Sequence, residues 1–445
     1  MDASGSAGVR QLGVAVVIAG MAAGAIGVSA WSRRREPDPL ICPPEQAALL
    51  ASYFATLRTH RSAEQIAATQ AGVPVTGSMT TLRPVCLGLH VGAVTSIGDT
   101  AVVIGGAVTS IGDTLDRGRG VVGWSSPALE ASSWNGTERR TFGRLAVPRY
   151  GPVTATVLAD GRVLVSGGFD AGTVNALGEL ELGSRAGSHG SVEWSPAGSL
   201  STPRWLYTAT LLGDGASVLI AGGDSENFTV LSSVELWQGG KVTAAAPLHT
   251  PRLAHTATLL TDGRVLVVGG SHDGEALSAV EIYDPATGTT RDSAPLHTPR
   301  RNHTATLLAD GRVLVVGGTT SHLAAGSAGT EIFDPRTGAW TPGGSLAFNR
   351  FAHTAIRLRD GRVLVAGGES FDCIAPEECM PHNLEALELW DPESEHWSLA
   401  GWFPSSGPLG MTELSSGQVM LVGPEDTRDE LVSAMWTSGH AAAAR

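Results

Sequence analysis

The sequence predicts an all-β chain in which seven units of about fifty residues close into a β-propeller. Three observations predict it. The stretch RLAHTATLLTDGRVLVVGG at 252–270 recurs as RRNHTATLLADGRVLVVGG at 300–318 and as RFAHTAIRLRDGRVLVAGG at 350–368. Apolar runs end at Gly105, Gly167, Gly222, Gly269, Gly317, Gly367 and Gly423, and all but the last are followed by a second Gly. Glycine supplies 57 of the 445 residues and hydrophobic residues 42%, a balance that suits turn-dense β structure.

Each unit reads as four strands. HTATLL alternates polar and apolar residues, as a strand with one face on a core does. Asp-Gly follows at 160–161, 214–215, 262–263, 310–311 and 360–361, and it favours the positive φ angles of a tight hairpin turn. RVLVV is continuously apolar, the pattern of a strand buried on both faces. The Gly-Gly pair then lets the backbone leave through conformations a side chain forbids. A third strand ends in Asp-Pro, as in AVEIYDP (279–285), TEIFDP (330–335) and ALELWDP (386–392). The fourth carries Trp194, Trp340 or Trp397.

The fourth strands also predict how the ring closes. WSPAGSLSTPR (194–204) and WTPGGSLAFNR (340–350) align without a gap with VPVTGSMTTLR (73–83), which precedes the first Gly-Gly unit. The last unit supplies strands near 409–414, 418–422 and 431–436, then ends in TSGHAAAAR without a fourth. An N-terminal strand is therefore expected to complete it, leaving no open edge between first and last units. VTSIGDT occurs at 94–100 and again at 108–114, which lengthens the strand 2–3 connection of the first unit.

Four segments result: 1–35, a signal peptide or membrane anchor; 36–71, a stalk with a short helical segment; 72–436, the propeller; and 437–445, a tail. Residues 11–32 carry no charge and precede Arg33, Arg34 and Arg35. At about 1.5 Å per residue, a helix of that length spans the roughly 30 Å of a bilayer core. The alternatives are an uncleaved anchor or a signal peptide cut after VSA at 28–30. Arg33, Arg34 and Arg35 on the C-terminal flank complicate both, because positive flanks prefer the cytoplasm. The expectation is nonetheless export to a periplasm or cell surface, with membrane contact through the N-terminal segment. PPEQAALLASYFATLRTHRSAEQIAAT (43–69) has helical spacing of its apolar residues. A formal charge of −13 argues against nucleic acid as a partner.

The cysteines are Cys42, Cys86, Cys373 and Cys379. Cys373 and Cys379 lie in one long strand 2–3 connection, where a disulfide would pin the excursion and would fit an exported protein. Two free thiols, or a metal loop with His382, are the alternatives. Cys42 and Cys86 form a second candidate pair.

With Gly-Gly after the second strand, an aromatic in the third and Trp seven residues later, the chain resembles the kelch-repeat propellers. Phe333 with Trp340 and Trp390 with Trp397 have that spacing, whereas Tyr283 is followed by Thr290. The resemblance covers residues 73–436. It implies a ligand face built from the strand 2–3 and strand 4–1 connections around a central channel. The galactose and glyoxal oxidases share this propeller type and hold copper through tyrosines and histidines, including an adjacent Tyr-His pair. Here Tyr53, Tyr150, Tyr207 and Tyr283 are followed by Phe, Gly, Thr and Asp. No cofactor and no catalytic residue is therefore expected. The reading is a non-enzymatic binding module, a monomer recognising a protein or glycan. A carbohydrate-active enzyme, oxidase-like or epimerase-like, is the rival.

Arg83, Arg149, Arg204, Arg252, Arg300 and Arg350 fall just before a first strand, at one repeat position. Guanidinium forks there suit an anionic peptide or glycan at the channel mouth. Alternatively each pairs with a carboxylate or carbonyl of the neighbouring blade and stitches the ring. His255, His303 and His353 share another position, three residues after an Arg. Such histidines either converge on a metal or pack at the start of their strands. The connections 107–126 and 369–384, which differ between units, are the candidates for specificity.

Overall fold

A computed structural model describes residues 77–438, apart from 82–90, 98–99, 106–127, 135–138, 171–174, 187–190, 321–325, 376–377, 404–409, 415 and 426–427. The expected N-terminal apolar segment, the helical stretch at 43–69, Cys42, Cys86 and Arg83 lie outside them. The described residues are β-strands and turns with no helix, arranged as a propeller of antiparallel sheets.

The repeat beginning at 252 shows the unit. Thr256–Leu259 pairs with Val265–Val268, which pairs with Val280–Asp284, which pairs with Thr289–Ser293, all antiparallel. The continuously apolar second strand is buried at every residue in this repeat and in the two that follow. Leucines and valines of adjacent sheets share common cores: Leu266 and Val268 pack in one cluster with Val313 and Val315 of the next repeat. Stability therefore comes from burial between neighbouring sheets, as in other repeat architectures. Cross-strand pairing also explains the seven-residue aromatic spacing. Phe333 faces Trp340 and Trp390 faces Trp397 across adjacent third and fourth strands. Trp237, Trp390 and Trp436 are fully buried, and each indole N–H donates to a carbonyl of the preceding repeat, at Ala197, Gly343 and Ala400.

One expectation needs correction. In place of seven separate four-stranded blades there are six large sheets, five of four strands and one of seven. Arg139–Val157 is a single 19-residue strand whose first part pairs with Ala128–Trp134 and whose second part pairs with Val163–Phe169. Later repeats interrupt the chain at this point with a residue at positive φ: Leu206, Ala254, Asn302 and Ala352. The strand Arg139–Val157 passes through without that break, with only a register shift between Tyr150 and Val153, so two successive repeats fuse into one sheet.

The N-terminal strand lies where closure requires it. Gly77–Thr81 pairs with Arg428–Ser438 in register from Gly77 opposite Ser438 to Thr81 opposite Ala434, completing the sheet with Gly410–Glu413 and Val419–Glu425. Removing residues 1–84 is therefore expected to lower the thermal midpoint, because it strips a pairing strand from that sheet. Removing 1–40 is expected to leave it unchanged. Calorimetry on the two truncations checks this, and equal midpoints would refute the closure.

Candidate functional site

The strand 4–1 and strand 2–3 connections form one face because the backbone zips them together. The residue after each repeated Arg pairs antiparallel with the residue after Gly-Gly: Tyr150 with Phe169, Trp205 with Asp224, Leu253 with Ser271, Arg301 with Thr319, and Phe351 with Glu369. Neighbouring strand 4–1 connections are linked in turn. The Ala254 N–H donates to the Leu206 carbonyl, Asn302 to Ala254, and Ala352 to Asn302, at 2.8–3.1 Å.

Five of the six arginines proposed as an anion rim are described, and none is available to a ligand. Arg149, Arg204, Arg252, Arg300 and Arg350 are at most 1% exposed. Each pairs through Nη2 with a glutamate of its own third strand, Glu181, Glu235, Glu281, Glu331 and Glu388, at 2.5–3.0 Å. Each also donates from Nη1 to the carbonyl of its repeat's first Gly, from Gly167 to Gly367, at 2.6–3.0 Å. The other carboxylate oxygen accepts the backbone N–H three residues before the Arg, at Ala146, Ser201, His249, His297 and Ala347. The anion rim is corrected at these positions, and so is pairing with the neighbouring blade: each guanidinium is buried and ion-paired within its own repeat, so it presents nothing to a ligand. The arginines fasten each incoming connection to its sheet.

The glutamates were missed in the sequence, although a signal is there. Glu181, Glu235, Glu281, Glu331 and Glu388 each sit in the third strand directly before an apolar residue. A carboxylate repeated inside an apolar strand requires a buried partner. The repeated Arg is the cation that could supply it.

Gly-Gly is where successive repeats meet. The second Gly donates its N–H to the main-chain carbonyl of the next repeat's Arg: Gly223 to Arg252, Gly270 to Arg300 and Gly318 to Arg350, at 2.8–2.9 Å. At Gly269 (φ 58°) a Cβ would stand 2.4 Å from the Arg300 carbonyl oxygen and 2.9 Å from His303 Cε1. Close approach of the next repeat, together with positive φ, excludes a side chain.

The three histidines act between repeats. Nε2 of His255, His303 and His353 is hydrogen-bonded to the hydroxyl of Thr208, Thr256 and Thr304 of the preceding repeat, at 2.9–3.1 Å. Tyr207 holds the same position one repeat earlier, and its hydroxyl donates to Ser166 Oγ at 2.7 Å. The histidines do not gather on one point, and each has its own threonine. Burial, then the neighbouring Arg252 and Arg350, holds the pKa of His255 and His353 well below 6.5. Burial, then Arg300 and Arg252, brings His303 to about 3. All three are neutral at ordinary pH.

His249, Glu281 and Asp292 bring possible metal-ligand atoms within 4.8 Å of one another. Glu281 is already neutralised by Arg252, which leaves His249 bonded to Asp292 at the surface.

The Kelch motif family matches residues 252–289 and 300–347. The chain is a β-propeller that contains kelch repeats. Among solved structures the kelch propeller is similar to one described as "Structure of YjhT", at 12% identity and a TM-score of 0.51, over 64% of this chain and 93% of that one. At that identity the likeness concerns the fold. No curated protein matches the sequence.

The specificity candidates are only partly within view. Residues 107–126 lie outside the described residues. In 369–384 the chain forms a hairpin, Glu369–Ala375 with Glu378–Asn383, in which Cys373 stands directly opposite Cys379. Neighbours across an antiparallel pair lie within the Cα separations a disulfide spans.

Proposed function

We propose that this kelch propeller is a protein-interaction module that uses the face built from its strand 2–3 and strand 4–1 connections. One observation carries the reading. In five repeats the two kinds of connection are hydrogen-bonded to each other, so loops of differing sequence stand on one rigid rim. Rigid presentation of variable loops lowers the ordering cost of binding. Photo-cross-linkers introduced at position 228, on this face, and at position 393, in a turn between third and fourth strands, test it in extracts of the native host. Cross-linked partners are expected at 228 and not at 393; cross-links confined to 393 would overturn the choice of face.

The proposal extends to export. The uncharged stretch at 11–32 supports a propeller held or released outside the cytoplasm. The register of Cys373 on Cys379 supports a disulfide there. Mass spectrometry of the native protein, alkylated without reduction, is expected to find both residues unlabelled. Full labelling would contradict the oxidised pair.

A further inference from the structure

In five repeats the strand 2–3 connections carry the charge opposite to the one the repeated arginines suggest. Strand 2–3 connections 169–178, 222–233, 269–279, 317–329 and 367–385 contain ten acidic residues and neither lysine nor arginine. On the opposite face, by contrast, acidic residues come with their own bases. Asp160, Asp262, Asp310 and Asp360 each pair with the Arg two residues on, at 2.5–2.7 Å. On the strand 4–1 connections, Arg149, Arg204, Arg252, Arg300 and Arg350 are consumed by their glutamates, and Arg301 is buried.

Within that acidic face, residues 222–233 stand out. Asp224 is 6% exposed, and its Oδ1 has no hydrogen-bond partner. It lies directly across the strand pair from Trp205, whose ring meets Phe169 at a centroid distance of 5.4 Å. Burial raises the Asp224 pKa, and burial alone raises that of Glu369 at the equivalent repeat position. At the tip of the same connection Phe228 is 65% exposed at φ 54°. The tip is ordered: the Phe228 N–H donates to the Ser225 carbonyl, and the Ser225 N–H to the Thr229 carbonyl, at 3.0–3.1 Å. A bulky residue held in the left-handed region and bared to solvent is a preorganised contact.

We infer that the Asp224 connection, with Trp205 beside it and Phe228 at its tip, docks a basic segment of a partner protein, taking a lysine or arginine side chain at Asp224. The carboxylate lacks a cation, the adjacent aromatic rings favour one through their π-faces, and the strand 2–3 connections on either side, 169–178 and 269–279, carry no lysine or arginine. Glu226 and Phe228 would extend the contact along the bound segment. The inference rests on the proposed interaction face and supplies its chemistry.

The probe is a fluorescein-labelled oligolysine peptide with one central phenylalanine, read by anisotropy against the full chain, with an oligoglutamate peptide of the same design as counterpart. Oligolysine is expected to bind and oligoglutamate not to. Asp224→Asn and Phe228→Ala are each expected to weaken oligolysine binding at least tenfold, and Glu393→Gln to leave it unchanged. Phe228 is exposed, so Phe228→Ala reports on binding even if Asp224→Asn disturbs folding. Equal binding by Phe228→Ala and wild type, or preference for oligoglutamate, would overturn the inference. Cross-linking at 228 with no oligolysine binding would leave the interaction face standing and remove only the basic chemistry.

Discussion

Arg252→Ala is expected to destabilise the propeller by about 3–5 kcal/mol, the usual loss when one member of a buried ion pair is removed. The substitution strands Glu281, itself fully buried, and takes donors from the carbonyls of Gly269 and Ala279. The triple replacement of Arg252, Arg300 and Arg350 by Ala repeats the damage in three adjacent repeats and is expected to prevent stable folding. A double variant, Arg252→Met with Glu281→Leu, removes both charges and is expected to recover much of the single-variant loss. Guanidinium denaturation of the three proteins measures this. An Arg252→Ala midpoint equal to wild type would show that the pair is not structural.

The second large effect is acid lability. His255, His303 and His353 are buried neutral, with pKa values depressed from 6.5 by burial and by nearby arginines. Unfolding restores the ordinary value. Below pH 6.5 the unfolded chain therefore binds more protons than the folded one, and stability falls as pH falls; above that range the stabilisation is fully present. Between pH 7.5 and 5.5 each histidine is expected to cost on the order of 1 kcal/mol, and the three together several kcal/mol. His303→Gln has no titrating ring, and its amide retains a donor and an acceptor for Thr256. It should remove about a third of that pH dependence. Denaturation midpoints across this range for wild type and His303→Gln give the answer, and parallel curves would contradict the assignment.

Much of the fold is legible in the sequence because local rules and repetition agree. HTATLL and RVLVV appear as the paired strands joined by Asp-Gly turns, and RVLVV is buried as anticipated, whereas the TATL of HTATLL is half-buried throughout in place of the expected alternation. Gly77–Thr81 pairs as the orphan at 73–83 suggests, because identical fourth-strand patterns demand the same partner. The sheet count was harder to anticipate, since the strand through Arg149 runs on where later repeats turn at Leu206, Ala254, Asn302 and Ala352. The arginines show the limit of reading by position. Their repeat register locates them correctly beside the ligand face, but burial depends on the third-strand glutamates, 29 to 38 residues away, and only the folded sheet brings the two together. Asp224, Trp205 and Phe228 leave no sequence signal at all. They are the residues in which this repeat departs from its neighbours, and repeat analysis averages such differences away.

Hydrogen–deuterium exchange of the full chain, with and without a partner identified by cross-linking at 228, tests the central claim most directly. Slowed exchange is predicted in 222–233 and in the adjoining strand 4–1 and strand 2–3 connections. Exchange at the Asp-Gly-Arg turns, 160–162, 262–264, 310–312 and 360–362, should be unchanged. Protection confined to those turns would contradict the assignment of the interaction face.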